Sequence, residues 1–210
     1  MQRTSPRSRM RRIGVIAAAA VLTIFGVAAV VQGLNGRSTV RSALQQEEVV
    51  GQPYMTPAGI AAKAKDAGLR DVTLPDCSVA GKPVDDGASA RCFAEYMRID
   101  ALVAANGSTY AQLPRFATDD GKGTNNAAKA RKDADGQPVT NPARNVWVTQ
   151  TALSTALNTS YMAEQISLFG IAVGAAFLLV GLGLAVVATA GMRLPSLASV
   201  RGRATEGATS

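Results

Sequence analysis

Residues 166–192, ISLFGIAVGAAFLLVGLGLAVVATAGM, contain no charged side chain. As a helix rising about 1.5 Å per residue, this run exceeds the roughly 30 Å hydrocarbon core of a bilayer. A helix on the surface of a soluble domain keeps a polar face, and this run has none. A second apolar run, Ile13 to Val31, lies nearer the other end. Two membrane-spanning helices therefore constrain the chain, and the residues between them must build whatever else the protein has. The pattern divides the chain into a basic tail (1–12), a first span (13–34), an intervening domain (35–165), a second span (166–192) and a second basic tail (193–210).

The net charge of +7 resembles a nucleic-acid signal until it is split by region. The first tail carries Arg3, Arg7, Arg9, Arg11 and Arg12 with no acid, and the second carries Arg193, Arg201 and Arg203 against Glu206. The middle segment is neutral. Basic flanks around apolar spans follow the positive-inside rule. It predicts both termini in the cytoplasm, anchored by Arg9, Arg11, Arg12 and Arg193, and the middle segment outside the cell membrane. Such tails also attract anionic lipid, by about 1 kcal/mol per residue. No aromatic residue interleaves with the tail arginines, so nucleic acid is not expected as a partner. The first apolar run exceeds the roughly 7–15 residues of a signal-peptide core, which predicts a retained anchor. Cleavage after Ala28-Ala29 is the alternative, and it leaves one span.

Along the middle segment, Gly33, Asn35 and Gly36 predict a loosening of the first helix, followed by a helix from Arg37 to Val50 with Gly51 and Pro53 as its stop. Thr56, Pro57 and Gly68 frame a helix over Ile60 to Ala67. Asp71 to Leu74 reads as a short extended piece. From Ala88 to Ala105, the residues Cys92, Phe93, Tyr96, Ile99, Leu102 and Val103 form one apolar helical stripe, read as a core face. Residues 117–141 are polar and turn-rich and read as an exposed loop, in part disordered. Asn141-Pro142 then starts a helix that runs unbroken into the second span. Val146, Thr149, Leu153, Leu157 and Tyr161 fall near a 3.5-residue repeat and predict packing on one neighbouring helix, the Arg37–Val50 segment.

Cys77 and Cys92 are the chain's two cysteines. Placed outside, they are expected to pair in a disulfide that staples a small, alanine-rich core. The chain has no histidine, which removes the commonest general base and metal ligand. Two cysteines alone cannot complete a zinc site, and no phosphate-cradling glycine motif occurs. Asp85-Asp86 and Asp119-Asp120 match no calcium-loop spacing and read as solvated turns. No metal or cofactor is expected. The spans carry no ionisable group, which suits anchoring rather than ion transport. Gly170, Gly174 and Gly181 form a close-packing pattern that Gly14 and Ala18 of the first span could answer. The same spacing also fits a homodimer face.

The stretches VRSALQQEEVVGQPYMTP, LPDCSVAGKPV, RCFAEYMRIDAL and NPARNVWVTQTALSTALNTSYMAEQISLF together resemble an uncharacterised two-span membrane family of high-GC Gram-positive bacteria. The resemblance covers roughly residues 37 to 185. Members are sometimes labelled automatically as an aromatic ring-opening dioxygenase subunit, but a chain without histidine lacks ligands for that iron. The resemblance implies the membrane layout and no mechanism. The expected architecture is mainly α: two spans flank a small helical, disulfide-bonded extracytoplasmic domain, and the second span continues from a long helix of that domain. The expected role is a structural or accessory component of the cell envelope, with the lipid bilayer and another membrane or envelope protein as partners. The competing readings are a membrane-tethered hydrolase that works without histidine and a ligand-sensing module.

Overall fold

A computed structural model describes residues 6–190, with side chains from Met10 onward. The Arg9 side chain, Arg193 and the tail 193–210 lie outside the described residues. The fold is mainly helical, and the described residues form no strand. Four α-helices run in the order α1 (Pro6–Gln46), α2 (Pro57–Asp66), α3 (Gly87–Ala104) and α4 (Pro142–Ala190).

Helices α1 and α4 are long and apolar enough to cross a membrane. Each reaches a mean hydropathy of 2.6 over its most apolar 18 residues, yet only 11% of that window is buried. The α4 start follows its chemistry: Asn141 Oδ1 accepts the Ala143 N–H at 3.1 Å, and Pro142 occupies the first turn, where its missing donor costs nothing. With no further proline before Pro195, the helix continues for 49 residues. Helix α1 also runs unbroken, which corrects the expected loosening at Gly33, Asn35 and Gly36. Tertiary packing overrides the propensity cost of about 1 kcal/mol per glycine. Gly33 is buried, and a side chain at Gly36 would collide with the Ser167 hydroxyl. The helix stops at Gln46 rather than Val50, in a turn where Glu48 takes a φ of 50°.

The chain divides into two compact units. One comprises the described parts of Met1–Leu34 and Phe169–Ser210, and the other is Asn35–Leu168. In the first unit, the ends of α1 and α4 pack antiparallel. Ala19, Gly26 and Gly33 recur every seventh residue along α1, Gly174 and Gly181 do so along α4, and all five are buried. A Cβ at Gly174 would come within 2.8 Å of the Gly26 carbonyl oxygen and of Val30, and one at Gly181 within 2.6 Å of Thr23 Oγ1. Small residues at a seven-residue spacing let the two backbones approach closely, so dispersion contacts replace the weak hydrophobic drive between helices in lipid.

In the second unit, Thr56 caps α2 by accepting the Gly59 N–H at 3.0 Å. Asp86 caps α3 through the Ser89 N–H at 2.8 Å, and Ser89 Oγ returns a bond to the Asp86 backbone in a capping box. Met55, Ile60, Val79, Tyr96, Ile99 and Trp147 form the main apolar cluster, and Leu44, Val84 and Ala90 form a second. Cys77 and Cys92 are joined in a disulfide. It ties the segment after Pro75 to α3, and Tyr96 Oη reinforces the tie by donating to the Cys77 carbonyl at 2.6 Å.

Three local expectations change. Asp71–Leu74 forms no strand, and Asp71 takes a φ of 56°. Val146, Thr149 and Leu153 are exposed. The buried α4 positions are Trp147, Gln150, Ser154 and Glu164, because this part of α4 packs partly against α3 rather than only against α1. Residues 117–141 are folded rather than in part disordered: bridges pair Phe116 with Thr124 and Thr140, and Lys132 with Pro138. Asx turns hold this loop, with Asp133 Oδ1 accepting the Asp135 and Gln137 N–H groups.

Candidate functional site

The packing glycines of the second span divide by geometry. Gly174 and Gly181 sit on the seam with α1. Gly170 is looser, with a Cβ placed there still 3.8 Å from the Ala29 carbonyl oxygen. Gly14 has nothing within 4 Å, so the answering positions are Ala19, Thr23 and Gly26 rather than Gly14 and Ala18. A seven-residue search of the sequence would have found them, whereas the four-residue Gly170–Gly174 pattern points one turn away from the seam. Arg11 and Arg12 lie on α1 and are exposed.

Glu164 is the most constrained polar group, at 5% exposure. Its Oε1 accepts from Arg37 Nε and lies 3.0 Å from Arg37 Nη2, and its Oε2 accepts the Gly87 N–H at 2.6 Å. The carboxylate thus joins α1 and α4 to the first residue of α3, where the helix dipole also favours negative charge. Gly87 permits this approach, since a Cβ there would fall 2.8 Å from Glu164 Oε2 and 2.9 Å from the Tyr161 backbone. In the sequence, Glu164 is a lone acid near the start of an apolar run, with no spacing that announces its partners.

A second polar centre holds the outer part of the domain. Asp100 on α3 accepts from Tyr54 Oη at 2.5 Å and from Lys63 Nζ at 2.6 Å, and the ammonium also lies 4.0 Å from the Tyr54 ring centroid. Burial and the Asp100 carboxylate raise the Tyr54 hydroxyl pKa. Burial disfavours the Lys63 ammonium, but the bond and charge of Asp100 outweigh it and hold that pKa above its ordinary value. Both groups therefore keep their protons at neutral pH. A protonated amine is no nucleophile and a protonated phenol is no base. The triad joins α2 and the preceding loop to α3, and Asp100 also lines a groove of about 570 Å³ with Met97, Ala101 and Val146.

One acid of each pair holds its local turn. Asp86 is the α3 cap, and Asp120 accepts from Thr118 Oγ1 and the Lys122 N–H. Among the described residues, no cluster of three or more acidic, cysteine or histidine side chains could hold a metal ion. No protein-family model, curated protein or solved structure matches this chain.

Proposed function

We propose that this is a two-span integral membrane protein whose residues 35–165 form a disulfide-stapled extracytoplasmic domain and whose termini are cytoplasmic. In this reading it serves as a structural or accessory component of the cell envelope that holds a second envelope protein. The observation that carries the membrane reading is the outward direction of the apolar side chains. Ile24, Phe25, Phe169, Leu179 and Val187 are each between 63% and 74% exposed, so the helices are not the buried core of a soluble protein. An apolar surface of that extent needs lipid around it. The arginine asymmetry supports the orientation, and the disulfide suits a non-reducing compartment. The accessory role is supported by polar centres that are spent on joining helices, which favours a rigid platform over a reaction centre.

The test is purification of the tagged chain from native membranes in mild detergent. The reading predicts that alkaline carbonate leaves the chain in the membrane and that a second envelope protein co-purifies at fixed stoichiometry. Release by carbonate contradicts the membrane assignment. Recovery solely as a monomer or homodimer contradicts the accessory role.

A further inference from the structure

We propose that the chain pairs in parallel with a second copy of itself, along the face of α4 that turns away from α1 and α3. This rests on the reading that residues 35–165 lie outside the bilayer, because there the face meets water and not lipid. Between Arg144 and Glu164, α4 carries no charged residue. A helix with one side open to water keeps charged and polar groups on that side. Here Val148, Ala152, Thr155, Thr159, Met162 and Ile166 recur at alternating spacings of four and three residues, and all six are exposed. The large ones, Val148, Met162 and Ile166, are 56%, 60% and 67% exposed. Trp147, Gln150, Ser154 and Glu164, the buried positions of this part of α4, lie on the other side of the helix. Alternating spacings of four and three are the repeat of a two-helix seam.

Three features select an identical chain as the occupant. The threonine hydroxyls are turned onto their own helix: Thr155 Oγ1 donates to the Thr151 carbonyl and Thr159 Oγ1 to the Thr155 carbonyl, each at 2.7 Å. The seam therefore offers a polar ligand no open hydroxyl donor. The positions on either side of it are threonine, alanine, asparagine and glutamine. A charged partner finds nothing there to pair with, whereas two copies meet without like-charge repulsion. Two copies inserted in one membrane also point the same way, so each seam residue meets its own counterpart in register across a two-fold axis. Ala152, Thr155 and Thr159 are small and let the backbones approach, while Val148, Met162 and Ile166 close the two ends with larger side chains. A seam of fewer than three heptads is short for association in water, and the shared bilayer supplies the effective concentration it needs.

The test is cysteine cross-linking of the full-length chain in native membranes. The two native cysteines are joined to each other and leave no thiol to compete. A disulfide needs Cα atoms within about 7 Å, which seam positions meet across the two-fold axis and outer positions do not. Oxidation should link Thr155→Cys into a species of twice the 21.7 kDa chain mass, and should link Leu153→Cys, exposed beside the seam, severalfold less. Adding Thr159→Glu to Thr155→Cys should cut the linked fraction about tenfold, through like charges facing each other across the seam. Co-expressing that chain with a differently tagged copy carrying Thr155→Cys and Thr159→Lys should restore linkage between the two tags, which a folding defect would not do. No linked dimer through position 155, equal linkage through position 153, linkage to a different protein alone, or no rescue by the opposite charges would each overturn the proposal. A linked dimer that purifies without a second envelope protein would overturn the accessory role and leave the pairing intact.

Discussion

Replacing Glu164 with glutamine tests whether one buried carboxylate holds the helical domain together. The substitution keeps size and shape but leaves one acceptor oxygen where the carboxylate had two. If the amide oxygen faces Arg37, the amide nitrogen meets the Gly87 N–H donor to donor. If the amide flips, it meets the Arg37 guanidinium instead. Either way one donor loses its partner, and where that is the buried Gly87 N–H the cost is about 1–3 kcal/mol. The Arg37 side chain is 34% exposed, so water screens its half of the ion pair and its loss adds only about 0.2–1 kcal/mol. The sum is about 1–4 kcal/mol. For a domain of this size that lowers the melting temperature by about 4–20 °C. Trp147 is the chain's single tryptophan and is buried, so its fluorescence during heating in fixed detergent reports the transition. A melting temperature within 2 °C of the parent protein's (roughly half a kcal/mol on the same scale) would show that the Arg37–Glu164–Gly87 junction contributes little.

Leu153→Pro should destabilise the domain by about 3 kcal/mol or more through the lost backbone bond and the clash with the preceding turn. Leu153 is 48% exposed, so unchanged denaturant stability would mean that α4 is not a stable helix there. Opening the Cys77–Cys92 bond with a reductant should cost about 3 kcal/mol on the chain-entropy account of a loop of this length, read as a lower melting temperature. Recovery of both cysteines alkylated without prior reduction would contradict the bond itself. Asp86 has a folded pKa below its ordinary 3.8, held down by the Ser89 N–H against the opposing effect of burial and helped by the Arg41 charge. Its stabilisation is therefore present above pH 4 and lost as pH falls through the lower folded value. Asp86→Asn should remove that part of the acid dependence, and an unchanged acid-unfolding slope would refute the cap's contribution.

The features legible in the sequence are those encoded locally. Thr56-Pro57 and Asn141-Pro142 announce helix starts through their own capping chemistry, and the uninterrupted composition of α4 announces its length. Two cysteines in one segment announce the disulfide. The features that were not legible depend on a partner far away in sequence. Gly33 and Gly36 look like helix breakers until Ser167 and the α4 seam are in place. Val146, Thr149 and Leu153 form a valid stripe, but α3 takes the adjacent face, Trp147–Gln150–Ser154. Asp86 looks like one of two solvated acids until Ser89 closes the capping box. Glu164 acquires meaning from Arg37, 127 residues earlier, and from the start of α3.

Protease access in intact protoplasts is the most direct test of the two-span layout, using a chain that ends in a fluorescent reporter fused after Ser210. The account predicts that trypsin added outside cuts within residues 117–141, where Lys122 is exposed, while the reporter stays uncut and fluorescent in the cytoplasm. A loop that is cut only after lysis, or a reporter digested from outside, would contradict it.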